Sequence, residues 1–138
     1  KNKVQDKLSS PYFEVHLTLA GPYKTIDEYF IESLNIITKK IEPLRLNLNQ
    51  FKFEDEIYKS FYISVLKSEK LNALRREIYN LNQFVNFEPY DPHISLAYCN
   101  EPSFKKNDLI SYLTKPRSTI LLNKLSIVSV DEKKVCGI

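Results

Sequence analysis

His16-Leu17-Thr18-Leu19-Ala20 and His93-Ile94-Ser95-Leu96-Ala97 are one five-residue pattern written twice. Each copy follows a Pro-Tyr pair, Pro11-Tyr12 and Pro89-Tyr90, and the two copies contain the only histidines in the chain. A histidine followed by hydrophobic, Ser/Thr, hydrophobic arises by chance on the order of 2% of the time at this composition, so two of two is a signal. On a strand, residues two apart share a face. His16 and Thr18 then point one way while Leu17 and Leu19 point into a core, and His93 and Ser95 do the same above Ile94 and Leu96. Brought together, the copies surround a small anion with two imidazoles and two hydroxyls.

That set suits phosphodiester chemistry. A neutral imidazole takes the proton of the attacking hydroxyl or water, and a protonated one supplies the leaving oxygen. A histidine pKa near 6.5 puts both states within reach at neutral pH. The hydroxyls of Thr18 and Ser95 are candidate donors to the non-bridging phosphate oxygens. A Ser-His-Asp arrangement leaves the duplication unexplained. Two histidines without clustered carboxylates or thiolates are too few for a metal site, so neither metal nor other cofactor is expected.

The surrounding sequence predicts alternating elements without a linker. Tyr12 to Ala20 reads as a strand, and Thr25-Ile-Asp-Glu28 as a capping box opening a helix through Ile41. Leu44, Leu46 and Leu48 alternate with polar residues, as Phe61, Ile63 and Val65 do, so two strands are expected there. Ser68 caps a helix whose apolar positions Leu71, Leu74, Ile78, Leu81 and Val85 step by three and four. A strand from His93 to Cys99, a short helix near Asp108 to Thr114, and strands over Thr119 to Val130 and Lys134 to Ile138 complete the order. Without strict βαβ alternation, a mostly antiparallel α+β domain is expected.

Composition removes other classes. At 138 residues the chain is expected to be one domain over 1–138. Its 43% apolar and 27% charged residues are those of a globular protein. Only Gly21 and Gly137 are glycine, too few for a phosphate-cradling loop. No apolar run has membrane-span length, and the polar N-terminus has no signal-peptide pattern, so no membrane partner is expected. A net charge of +3 tolerates a short phosphate ligand without arguing for duplex nucleic acid. Cys99 and Cys136 are expected as buried free thiols in a reducing compartment. The chain contains no Met and starts at Lys1, which is read as a piece excised from something longer.

The paired HLTL and HISL resemble the 2H phosphoesterase superfamily, defined by two histidine–x–Ser/Thr motifs on facing strands, and the likeness spans nearly the whole chain. The resemblance implies a bilobal α+β fold: two mostly antiparallel sheets with pseudo-two-fold symmetry, helices on the outer faces and a catalytic groove between the halves. It also implies that His16, Thr18, His93 and Ser95 carry catalysis. Among the family's activities, the compact form is similar to viral domains that destroy 2′,5′-oligoadenylate, a host antiviral messenger, in the cytoplasm. Residues 90–98 are also similar to cellular 2′,3′-cyclic phosphodiesterases, and Ser95, where many viral members have Thr, keeps that alternative and RNA 3′-end trimming open. The expected partner is a short 2′,5′-oligoadenylate or a cyclic-phosphate nucleotide, bound by a monomer. A non-catalytic nucleotide-binding module is the alternative of another class.

Weaker candidates flank the motifs. Tyr23 and Lys24 follow the first one and are candidates to stack on a base or pair with a phosphate. Tyr98 shares parity with Ile94 and Leu96 and is expected in the core, with at least one of Phe51 and Phe53. Arg75-Arg76 reads as a solvated helix face.

Overall fold

A computed structural model describes residues 3–81 and 89–129. The elements are helix α1 (Lys3–Lys7), helix α2 (Glu28–Lys40), strand β1 (Leu44–Lys52), strand β2 (Phe61–Val65), helix α3 (Glu69–Asn80), strand β3 (His93–Ala97), helix α4 (Ser103–Tyr112) and strand β4 (Thr119–Leu122). A 3-10 turn, Ile57–Lys59, precedes β2. The strands form one sheet in the order β3-β2-β1-β4, every neighbouring pair antiparallel.

β1 serves two partners along its length. Leu44 to Asn47 face Leu122 to Thr119 of β4, and Leu48 to Lys52 face Val65 to Tyr62 of β2, with an irregularity between Leu48 and Phe51. The α+β, antiparallel expectation holds. The two expected sheets are, among the described residues, two pairings that meet on β1 within one continuous sheet.

Three apolar clusters hold the layers together. Leu46, Val65 and Ile94 of the sheet bury against Leu71 of α3. Phe30 and Leu34 of α2 pack on Ile78 of α3. At the other end Val4 and Leu8 join Phe61, Ala97, Cys99 and Leu109, with Phe51 and Phe53 packed alongside. Phe51 and Phe53 are therefore both packed against the core, and Cys99 is a buried thiol.

Several boundaries differ from expectation for identifiable reasons. α2 is capped by Asp27, whose carboxylate accepts from the Phe30 N–H at 2.8 Å, so the Thr25–Glu28 box does not form. Ser68 caps α3 as expected, accepting from the Leu71 N–H at 3.1 Å. α4 starts at Ser103 rather than Asp108 because Pro102, with its fixed φ, opens it. Its apolar period is broken by Lys106, which is only 1% exposed. α1 was not expected: its sequence is polar, yet Val4 is buried and Gln5 donates to the Phe13 carbonyl at 3.1 Å. β4 ends at Leu122, short of Val130. Val85, the Lys134 to Ile138 strand and Cys136 lie outside the described residues.

The Tyr12 to Ala20 stretch joins the sheet by a single antiparallel bridge, Leu17 to Ile94, rather than by a full strand. Side chains take carbonyls that a ladder would use: Gln5 holds that of Phe13, His16 that of Glu14, and Tyr90 that of Thr18. Gly21, at φ +117°, then turns the chain toward α2, a conformation that favours glycine.

Candidate active site

The Leu17–Ile94 bridge decides how the two motifs meet. Antiparallel pairing about it sets Thr18 opposite His93 and His16 opposite Ser95. The stack of Phe13 on Tyr98, centroids 4.3 Å apart, lies four residues further along each segment and keeps the same register. Leu17, Leu19 and Ile94 belong to the core beneath, so the two imidazoles and two hydroxyls occupy the opposite face. Each imidazole thus faces the other motif's hydroxyl across the pair. The histidines are diagonal neighbours, a relation that spaces side chains about 7–8 Å apart.

Both rings are oriented by the same device. His16 Nδ1 lies 2.7 Å from the Glu14 carbonyl oxygen, and His93 Nδ1 lies 2.8 Å from that of Asp91. A carbonyl oxygen only accepts, so Nδ1 carries the proton in each ring and Nε2 is the nitrogen left for a ligand. In both copies the accepting residue is acidic and stands two positions before the histidine, so the repeated unit is one acidic residue longer than the motif expected from sequence.

The hydroxyls differ in setting. Thr18 is exposed. Ser95 is 5% exposed, and its Oγ reaches the Tyr58 carbonyl oxygen only at 3.5 Å, a weak bond. Tyr90, in the Pro-Tyr pair before the second motif, donates its hydroxyl to the Thr18 carbonyl at 2.7 Å and so ties the motifs together. Burial pushes the Tyr90 phenol up to about 12, which keeps it a donor at every working pH.

β2 continues the floor of the site. Tyr62 pairs with Ser95 and Ser64 with His93, and Lys52 of β1 pairs in turn with Tyr62. The Tyr62 ring stands edge-on to His93 at 5.2 Å, and its hydroxyl donates to Glu54 Oε1 at 2.7 Å. Burial, then that bond to Glu54, push its phenol up to about 12. Lys59 Nζ bridges Glu54 at 3.0 Å and Asp91 at 2.7 Å. The bond from Tyr62, then that from Lys59, hold the Glu54 carboxyl below its ordinary value, and the Lys59 bond does the same for Asp91. Ser64 is not available to a ligand in the same way, because its hydroxyl is shared with the Gln50 backbone at 3.3 Å.

Three expectations, for Tyr23, Arg75 and Tyr98, are corrected, and the one for Lys24 is left as it stood. Tyr23 packs edge-on to Phe30 at 5.4 Å in the α2–α3 cluster, and burial raises its phenol, so it is not a base-stacking surface. Lys24 is exposed, and no described contact links it to the histidines. Arg75 is 3% exposed rather than solvated, its guanidinium 4.7 Å from the Tyr79 ring and 4.3 Å from that of Tyr90, whereas Arg76 is exposed. Tyr98 is half-buried outside the three core clusters, set between Phe13, which in turn meets the His16 ring edge-on, and Tyr58. Tyr62 and Lys59 went unrecognised because no motif marks them, and Asp91 although one signal did. The acidic residue before each histidine was the available signal.

Among the described residues no three His, Cys, Asp or Glu side chains gather as a metal-ligand group. No curated protein and no solved structure gives a significant match. The family comparison is positive: the model described as the 2′-5′ RNA ligase superfamily matches residues 8–134, which include both motifs and the strands that hold them. The chain therefore belongs to the 2′-5′ RNA ligase superfamily, the 2H phosphoesterases, enzymes of phosphoester chemistry.

Proposed function

We propose that this protein cleaves 2′,5′-linked oligoadenylate without a divalent metal, using His16 and His93 as the acid–base pair. One observation carries the proposal: the Leu17–Ile94 bridge and the matching Nδ1 bonds give two imidazoles on one face, each with Nε2 available. A 2′,5′ linkage leaves a 3′-hydroxyl beside the phosphorus. One neutral imidazole accepts that proton as the 3′-oxygen attacks. The protonated one gives a proton to the departing 5′-oxygen, so the products are a 2′,3′-cyclic phosphate and a free 5′-hydroxyl. Thr18 and Ser95 donate to the non-bridging oxygens as charge grows there. Such an activity fits a viral domain acting in the host cytoplasm against an oligoadenylate-triggered RNA-decay response.

The competing reading is a cellular enzyme opening 2′,3′-cyclic nucleotides, favoured by the serine at position 95. Three substrates separate them in EDTA: 2′,5′-linked triadenylate, 3′,5′-linked triadenylate and a 2′,3′-cyclic mononucleotide. Fast cleavage of the first and slow cleavage of the second are expected, because near-attack alignment of the flanking nucleosides is worth several kcal/mol. Fast opening of the cyclic nucleotide with survival of the 2′,5′ oligomer would replace the proposal with the cellular activity. Binding without turnover of any of the three would make the domain a nucleotide-binding module.

A further inference from the structure

A compact group of charges stands beside His93. Lys59, mostly covered, reaches Glu54 and Asp91 together and lies 5.2 Å over the Tyr62 ring. Burial opposes its charge, but the bonds to Asp91 and Glu54 outweigh this and hold the ammonium above the ordinary lysine range. Two routes lead from it to His93. Asp91, gripped by its carboxylate, offers the backbone carbonyl that takes the His93 Nδ1 proton. Tyr62, fixed between Glu54 and Lys59, walls the ring on one side. At His16 the corresponding residue, Glu14, is exposed and in no ion pair among the described residues.

We propose that Lys59 is a positioning residue for His93: its ammonium fixes Asp91 and Tyr62 around the ring and balances the Asp91 carboxylate, giving His93 a rigid setting that His16 lacks. This rests on the reading of His93 as an acid–base group. The groups facing His93 are Asp91 ahead of β3, Glu54 and Lys59 from the β1–β2 connection, Lys52 on β1, Tyr62 and Ser64 on β2, and His16 and Thr18 on the bridged segment. Without Lys59 the Asp91 carboxylate loses its bonded counter-charge, with only the more distant Lys52 left, and favours the imidazolium.

Proton NMR of the imidazole rings tests this directly, since the chain has two histidines and His16→Ala assigns the signals. Lys59→Met is expected to raise the His93 titration midpoint by about half a pH unit or more and leave His16 in place. Turnover number should fall roughly tenfold with little change in KM, and Lys59→Arg should restore both. Asp91→Asn, a milder change, should move the His93 midpoint the other way. An unmoved His93 midpoint in the methionine variant, or equal movement of both histidines, overturns the proposal. If the methionine variant does not fold, the Asp91→Asn shift decides, and its absence overturns the proposal equally. The ring titration needs no substrate, so failure of the oligonucleotide assay leaves this result standing and is told apart from it.

Discussion

His16 and His93 receive the same orienting bond, but their hydroxyl partners do not share one environment. Thr18 is exposed and carried on a segment fastened by one bridge and by the Tyr90 hydroxyl, whereas Ser95 is seated in the sheet. Thr18→Ser keeps the donor and should retain most activity. Thr18→Ala should cost about tenfold, less than loss of an imidazole, because an exposed donor is one of several around the phosphate. A Thr18→Ser variant less active than Thr18→Ala, in steady-state assays of both, would contradict the donor role. That these four residues lie near one another was legible because repetition marks the two segments that the Leu17–Ile94 bridge joins. Tyr23 was misread because sequence proximity to a motif says nothing of the face a loop aromatic takes, and here α2 and α3 enclose it. Arg75 was misread because a helix shows which residues share a face, Tyr79 among them, but not that the Tyr90 ring arrives from elsewhere to cover it.

At the scale of elements, β3 presents His93 at one end and is anchored at the other by Ser60. That hydroxyl, wholly buried, donates to the Ala97 carbonyl at 2.7 Å and accepts from the Cys99 N–H at 2.9 Å. Ser60→Ala leaves a buried N–H and C=O unmatched, so a loss of about 1–3 kcal/mol is expected in urea unfolding. An unchanged midpoint and slope would show that the anchor is dispensable. The two phenols held near 12 give a second element-level test. Folding favours the neutral form of Tyr62 and Tyr90, while in the unfolded chain both ionise near 10. Their stabilisation is therefore complete below about pH 10 and is lost as pH rises toward 12. Phenolate absorbance should show Tyr62 and Tyr90 among the late-ionising tyrosines of wild-type protein, and one fewer such group in Tyr90→Phe. β1, β2, β3, α2 and α3 were legible from period, and α3 also from its Ser68 cap, the first two because leucine, phenylalanine and valine alternate there. α1 and the start of α4 were not, since Gln5 and Lys106 are buried polar residues whose Nε2 and Nζ reach the distant Phe13 and Glu54 carbonyls.

For the whole molecule, what matters is that one antiparallel sheet carries the second motif on β3 and receives the first against it, far apart in sequence and adjacent in space. The α+β class was legible from element order. The sharing of β1 between two partners was not, because a strand's periodicity reports its faces and not its neighbours. The proposed mechanism makes His16 and His93 one unit acting on one phosphodiester. Its most direct test is turnover of 2′,5′-linked triadenylate by wild-type protein, His16→Ala, His93→Ala and the double variant, each with an unfolding curve to show that the fold is intact. Each single change should lower turnover by at least ~10²-fold, and the double variant should lie close to the worse single one, as for groups that act together. Near-full activity in either single variant, or fully multiplicative losses in the double, would contradict the claim.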